Sequence, residues 1–110
     1  MKRERRLTKP AEYSRVYNQG FSQADNLVAI RAMPNQLSFS RFGISVSKRL
    51  GKAVVRNRVK RLLREILRVA PLNPGWDFVV IARTPAAKSD YHQLRKSVLN
   101  LLSRAKILAE

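Results

Sequence analysis

Apolar residues recur at helical spacing in three parts of the chain, and this spacing predicts three helices. The first helix falls within residues 8–20, where Tyr13, Val16 and Tyr17 share one face at i, i+3 and i+4. The second runs from residue 53 to about residue 70, where a segment with two prolines ends it. The third begins at about residue 90, and its apolar stripe consists of Tyr91, Leu94, Val98, Leu101, Leu102, Ala105 and Leu108.

Other segments show the patterns of β-strands. Residues 27–33 are strand-like, apolar except for Arg31, and a turn follows them. Residues 78–82 are continuously apolar, which is typical of a central strand covered on both faces. Residues 39–47 alternate, with Phe42, Ile44 and Val46 on one face and Arg41, Gly43, Ser45 and Ser47 on the other. The order is helix, two or three strands, helix, strand, helix. We therefore expect an α/β sandwich, a sheet with helices packed on it, in a single domain of residues 1–110.

The second helix is divided between an apolar face and a cationic face. Its apolar arc contains Val55, Val59, Leu62, Leu63, Ile66, Val69 and Ala70, and the rest of its circumference contains Arg56, Asn57, Arg58, Lys60, Arg61, Arg64 and Arg68. Like charges stand at i, i+3 or i, i+4 in five pairs, which together cost roughly 1 to 2.5 kcal/mol at low salt. A helix face that served only solubility would carry both positive and negative side chains. An anionic partner is therefore the better explanation.

The charge of the whole chain points to the same partner. The net charge is +16, and residues 41–68 hold ten basic side chains and one acidic one. A second basic cluster occupies an N-terminal arm, residues 1–8, whose order in the isolated protein stays open. Nucleic-acid binding is favoured over an incidentally basic protein and over binding to an anionic membrane. The seven acidic residues show no spacing that suits hydrolysis by the polypeptide itself, and there is no cysteine.

Two features of these residues stay open when they are considered alone. Arginine offers a forked pair of donors to phosphate, but Asn57 adds an uncharged donor and acceptor that could read a base edge, contact a ribose hydroxyl or tie down the neighbouring loop. The spacing of Tyr13 and Tyr17 by itself favours core packing over ligand binding. Gly43, Ser45 and Ser47 would form a flat polar strand surface. Such a surface is expected both for the floor of a ligand cleft and for a strand face exposed to solvent.

The segment from Phe42 to Glu65, FGISVSKRLGKAVVRNRVKRLLRE, resembles the signature of the bacterial ribonuclease P protein subunit. It contains a strand, a basic turn and a helix opened by Arg-Asn-Arg. RLTKPAEYSRVYNQG is similar to the first helix of that family, and PGWDFVVIAR is similar to its late strand. The resemblance covers nearly the whole chain. It implies an α+β two-layer sandwich of order α-β-β-β-α-β-α, with a four-stranded mixed sheet and a left-handed β-α-β crossover, against the usual hand.

The resemblance also implies a function. The protein would be a cytoplasmic, monomeric subunit of ribonuclease P, present in one copy per RNA, which binds the catalytic RNA subunit and the 5′ leader of precursor tRNA and assists endonucleolytic removal of the leader. Catalysis would belong to the RNA with magnesium; the protein would bind no cofactor of its own, carry no catalytic residue and have no membrane partner. The alternative is a ribosomal or chaperone-type RNA-binding protein with no role in cleavage.

The resemblance assigns residues to two surfaces. The surface for the RNA subunit would contain Lys48, Arg49, Arg56, Asn57, Arg58, Lys60, Arg61 and Arg64. The cleft for the leader would contain Tyr13, Tyr17, Arg31, Ser45 and Ser47. Many members of the family have Phe at the two Tyr positions. Arg31 stands where some members have an aromatic residue, which suggests a contact with phosphate or a base in place of stacking.

Overall fold

The structure, a computed structural model, describes residues 5–109, which fold in the order α-β-β-β-α-β-α. The elements are α1 (Pro10–Gln19), β1 (Phe21–Ala24), β2 (Val28–Pro34), β3 (Arg41–Ser45), α2 (Ala53–Val69), β4 (Trp76–Ala82) and α3 (Tyr91–Arg104), with 3₁₀ turns at Lys48–Leu50 and Thr84–Lys88. The structure confirms the predicted fold class, element order and three helices. The short strand β1 was not located by hydrophobic periodicity, because its four residues are mostly exposed and show no alternation.

The four strands form one mixed sheet in the order β1-β2-β4-β3. β1 pairs with β2 and β2 with β4 in antiparallel fashion, whereas β3 and β4 are parallel neighbours. Parallel strands need a crossover connection, and α2 supplies it. β4 therefore lies between two strands, which explains its nearly continuous burial and confirms the predicted central strand. The hand of the crossover stays a prediction.

Alternate residues of the sheet face two different sets of helices. Ile30, Phe78 and Val80 belong to the main core, together with the apolar faces of α2 and α3. Val79, on the opposite face, belongs to a small cluster with Val16 of α1 and Leu7. The sheet and the α2–α3 pair thus form the sandwich, and α1 lies across the other face of the sheet.

The helix ends follow from local sequence. Glu12 accepts hydrogen bonds from the backbone N–H groups of Thr8 and Lys9, both at 2.9 Å, and so caps α1. Asp90 and Gln93 cap α3 reciprocally. α2 ends at Val69, close to the predicted end, and no side chain caps its N-terminus.

Two predicted packing positions are wrong. Val69 of α2 is 65% exposed, whereas Leu67 is only 2% exposed. α2 packs against both α3 and β3, and this orientation buries Leu67 and leaves Val69 exposed. The helical wheel alone does not show which side of the apolar arc faces those two elements. Leu108 lies beyond the end of α3 at Arg104, and it pairs with Leu72 in an isolated bridge instead of extending the helical stripe.

The described part of the basic arm lies along the outer edge of β3. Arg6 forms a parallel bridge with Phe42, and the Leu7 N–H donates to the Phe42 carbonyl at 2.9 Å. Leu7 itself is buried under α1. The arm therefore covers part of a strand edge that would otherwise present unpaired backbone groups. Residues 1–4 of the arm lie outside the described residues.

Candidate nucleic-acid interface

Tyr13 of α1 lies directly on the backbone of β3. A Cβ atom placed on Gly43 would stand 2.5 Å from Tyr13 Cε1 and 2.6 Å from its hydroxyl oxygen, so only glycine permits this approach. The hydroxyl donates to the Leu7 carbonyl at 3.3 Å, and burial raises the pKa of Tyr13. The expectation of an open polar strand surface is therefore wrong at Gly43, because the ring covers it.

Tyr17 and Arg31 meet at the other end of α1. The Tyr17 side chain is 37% exposed. Arg31 donates from Nη1 to Ser22 Oγ at 2.8 Å and from Nη2 to the Tyr17 carbonyl, so it binds one of the last carbonyls of α1. Its Nε is buried and has no partner within residues 5–109. Arg31 thus lies at the predicted cleft, where two of its five N–H donors bind neighbouring protein groups.

Beyond the two tyrosines, three half-buried residues continue the face of the sheet that α1 crosses. They form one row of paired positions, Ser45 in β3, Ile81 in β4 and Ala29 in β2. Ile81 and Ala29 were missed because an apolar run does not reveal which face of a covered strand binds a ligand. Ser47 lies past the end of β3, where it is exposed and its hydroxyl accepts from the Arg49 N–H at 3.3 Å.

A groove of about 190 Å³ runs between α1 and α2 beside the outer edge of β3. Its lining consists of Arg6, Tyr13, Phe42, Gly43, Ile44, Lys60 and Arg64. Three cationic side chains, those of Arg6, Lys60 and Arg64, thus line the same groove as Tyr13. The groove joins Tyr13 to two residues that the resemblance gives to the RNA-subunit surface. Arg6 was missed as a member of this groove, and its only sequence signal was its place in the basic arm.

The Arg-Asn-Arg segment occupies the first turns of α2. Arg56 Nε donates to the Gly51 carbonyl at 3.2 Å, and Arg58 Nη2 donates to the Ser89 carbonyl at 2.7 Å, which holds the start of α2 to the segment before α3. Asn57 is exposed, and its side chain makes no hydrogen bond within residues 5–109. Of the three roles considered for Asn57, tying down the neighbouring loop is therefore ruled out for this part of the chain.

The cations of α2 have no carboxylate partners in the described structure. The ion pairs found within residues 5–109 all join Arg15 or Arg41 to Asp77 or Glu12. Lys48, Arg49, Arg61 and Arg64 are exposed and Lys60 is half-buried. Because the first turn of α2 holds no acidic residue and no side-chain cap, the positive end of the helix dipole adds to this field. The surface is thus suited to polyanions.

Comparison with known proteins identifies the family. The profile of the Ribonuclease P family matches residues 1–106. The chain belongs to the ribonuclease P protein family. The ribonuclease P protein component of Dehalococcoides mccartyi is 46% identical over 110 residues, which are 100% of this chain and 92% of that protein. That of Caldanaerobacter subterraneus is 43% identical over 107 residues, 96% of this chain and 92% of that protein.

Solved structures agree with the assignment. The ribonuclease P protein of Staphylococcus aureus superimposes with a TM-score of 0.87 at 36% identity, covering 96% of this chain and 98% of that one. That of Thermotoga maritima gives 0.80 at 34% identity, covering 90% and 96%. As a protein component of ribonuclease P, the chain is a subunit of a tRNA-processing endoribonuclease and partners an RNA subunit.

In this ribonuclease P protein the two predicted residue sets lie on adjoining surfaces. The leader set lies on α1, β2 and β3, apart from Ser47 just past β3, and the RNA-subunit set lies on α2 and the 3₁₀ turn before it. The groove beside β3 is where they meet. Within residues 5–109 no three acidic or histidine side chains are grouped so as to hold a metal ion. None of the helices described is long and apolar enough to span a membrane.

Proposed function

We propose that this ribonuclease P protein binds the RNA subunit through the cationic face of α2 and the 5′ leader of precursor tRNA through the groove and the open strand surface beside α1. In doing so it assists endonucleolytic removal of the leader. The observation that carries the proposal is the groove beside β3, where Tyr13 lies with Lys60 and Arg64 at the end of a partly exposed aromatic and strand surface. Single-stranded RNA needs this combination of stacking surface and backbone cations.

The leader would follow the surface from the groove toward Tyr17. Tyr13 is fixed on Gly43 and presents part of its ring to the groove, whereas Tyr17 is more exposed and offers a freer stacking surface. Stacking contributes about 1 to 3 kcal/mol per base and depends little on sequence. Lys60 and Arg64, which the resemblance assigns to the RNA-subunit surface, would also meet leader phosphates where they line the groove beside Tyr13. This arrangement suits a protein that must accept leaders of many sequences.

The RNA subunit would contact the first half of α2 and the turn before it. Arg61 and Arg49 are exposed and free to form forked contacts with phosphate. Arg56 and Arg58 keep part of their donors for RNA while the rest hold the local backbone. Asn57, exposed between them with both of its polar atoms available, is the residue suited to a base edge or a ribose hydroxyl.

In this proposal the RNA subunit, with bound magnesium, carries out the chemistry, and the polypeptide supplies binding and orientation. The carboxylates of Glu12, Asp25 and Asp77 are all occupied by hydrogen bonds from protein donors, so these three do not suit a metal site. One monomeric copy would serve one RNA in the cytoplasm.

Reconstitution tests the function. The protein is added to ribonuclease P RNA and precursor tRNA at low magnesium, and leader removal is measured with and without it. We expect a clear gain in cleavage. No gain would contradict the proposal and favour the alternative, a ribosomal or chaperone-type RNA-binding protein.

A pair of matched variants tests the surface. Arg61→Ala should weaken binding to the RNA subunit about tenfold, the value of one charged hydrogen bond of roughly 1.5 kcal/mol. Arg95→Ala removes the same charge from an exposed position on α3 and should change affinity less than twofold. Equal effects of the two changes would mean that only net charge matters, and the α2 surface would be wrong.

A further inference from the structure

A buried carboxylate lies beneath α1, outside the two surfaces described above. Asp77 of β4 has no exposed surface. Its Oδ1 accepts from Arg41 Nε at 2.9 Å and from Asn35 Nδ2 at 2.8 Å, and its Oδ2 accepts from Arg41 Nη2 at 2.6 Å. Arg15 of α1 approaches the same Oδ2 at 3.4 Å. Asp77 thus holds the Arg41 guanidinium by two of its nitrogens.

Arg41 connects Asp77 to α1. Its third nitrogen, Nη1, donates to Glu12 Oε2 at 2.7 Å, while Glu12 Oε1 accepts the N–H groups of Thr8 and Lys9 at the start of the helix. The backbone N–H groups of Lys9 and Thr8, helped by the charge of Arg41, hold the pKa of Glu12 below its usual range. Burial raises the pKa of Asp77, but the hydrogen bonds from Arg41 and Asn35 outweigh it and hold that pKa below its usual range. A continuous charged connection therefore joins β4, β3 and the N-terminus of α1, and we call it the Asp77 network.

The Asp77 network and the two tyrosines lie on opposite flanks of α1. Val16 points into the sheet. On the helical wheel Glu12 and Arg15 lie to one side of Val16, and their side chains reach toward Arg41 and Asp77 in the sheet. Tyr13 and Tyr17 lie to the other side of Val16, where Tyr13 contacts Gly43. The network therefore holds one flank of the helix down on the sheet and leaves the other facing the open strand surface.

Packing on the sheet holds one flank of α1, and polar contacts hold the other. Within residues 5–109 the buried cluster under α1 contains Leu7, Val16 and Val79, with Tyr13, Met33 and Ile81 half-buried against it. Tyr13 packs on Gly43 on one flank, whereas on the other flank the contacts of Glu12 and Arg15 with the sheet are ionic. A bidentate guanidinium–carboxylate pair has a fixed geometry, and buried ionic groups serve best where they select one arrangement. We propose that Asp77 and Arg41, acting through Glu12, are positioning residues for leader recognition: they fix the rotation of α1 that presents Tyr13 and Tyr17 to the leader. This inference rests on the proposed function.

The test uses the reconstituted holoenzyme and two substrates, precursor tRNA with a long leader and precursor tRNA with a one-nucleotide leader. Glu12→Gln removes the charge that Arg41 binds but keeps an oxygen for the cap of α1. Asp77→Asn weakens the hold on Arg41 itself. Because misplacement of binding groups by about 1 Å can cost a factor of up to 100, we expect KM for the long leader to rise about 5- to 20-fold. KM for the short leader and kcat should change less than twofold.

Asp25→Asn is the matched control. The Asp25 carboxylate accepts hydrogen bonds from Leu27 N, Val28 N and Ser97 Oγ, so its loss should also cost stability, but it contacts α3 and not α1. The control should keep the KM ratio of the two substrates. Arg41→Lys, which keeps the charge but cannot bridge both carboxylates, should give an intermediate ratio.

The outcomes separate the two proposals. Wild-type holoenzyme with the same KM for both substrates would refute leader binding itself. A wild-type preference for the long leader that Glu12→Gln and Asp77→Asn both retain would refute only the positioning role. A parallel rise in KM for both substrates would show that the network merely stabilises the fold. If Asp77→Asn does not fold, Glu12→Gln decides, since its side chain lies at the surface edge of the network.

Discussion

The contact between Tyr13 and Gly43 gives the sharpest test of the interface. In Gly43→Ala the new Cβ would stand 2.5 to 2.7 Å from three atoms of the Tyr13 side chain, whereas ordinary contacts lie at 3.4 to 4 Å. The ring, or β3, must therefore move by about 1 Å. Gly43 does not have a positive φ, so the substitution adds no strain of its own to the backbone.

The size of the effect follows from two opposing contributions. Overpacking of this kind costs about 1 to 3 kcal/mol. Replacing glycine by alanine also removes conformational freedom from the unfolded chain, which stabilises by about 0.4 to 1 kcal/mol. We expect a net loss of about 0.5 to 2 kcal/mol in the free energy of unfolding, measured by urea denaturation. In a Tyr13→Ala background the clash is absent, so the same substitution should stabilise.

The substitutions Gly43→Ala and Tyr13→Ala form a double-mutant cycle. We expect a coupling free energy between the two positions of about 1 to 3 kcal/mol. Tyr17→Ala is the control partner, since Tyr17 is not among the close neighbours of Gly43, and its cycle should show no coupling. Gly43→Ala should also weaken binding of precursor tRNA more than binding of mature tRNA. A stability change of the same sign and size in both tyrosine backgrounds would refute the packing argument.

Three further outcomes are expected. Asn57→Ala should leave the urea midpoint unchanged, because the side chain has no partner within residues 5–109, but should weaken RNA-subunit binding in a filter assay; unchanged affinity would remove Asn57 from the interface. The RNA affinity of the wild type should fall with salt at a log–log slope of about −4 to −5 if six phosphates are contacted, and a flat response would contradict the electrostatic argument. The lowered pKa values of Glu12, Asp25 and Asp77 contribute stability that is present above their unfolded values near 4 and is lost as pH falls through the lower folded values. The urea concentration at the unfolding midpoint should therefore fall as the pH drops below about 4, and it should fall less steeply in Asp77→Asn. An equal slope in the variant and the wild type would mean that Asp77 is not the group protonated.

The family and the main chemistry of the surface could be predicted from the sequence. The division of α2 into apolar and cationic faces depends only on the period of the helix and the order of residues, which are local properties. The buried strand β4 was evident from its continuous apolar run for the same reason. The Arg-Asn-Arg segment, with the strand and turn before it, carried the resemblance to ribonuclease P proteins, which the comparisons confirm.

Relations between distant residues depended on the tertiary structure. The packing of α1 on the sheet places Tyr13 over Gly43, and the pairing of β3 with β4 places Asp77 beside Arg41, 36 residues away in the chain. Neither follows from periodicity, because a period shows which residues share a face and not what that face meets. The same limit hid the choice between Leu67 and Val69 and the bonds of Arg31 to Tyr17. The sequence by itself determined that a cationic helix and an aromatic pair exist. Only the packing of α1 across the sheet decided that the cationic helix and Tyr13 border one groove, because that packing depends on contacts between elements far apart in the chain.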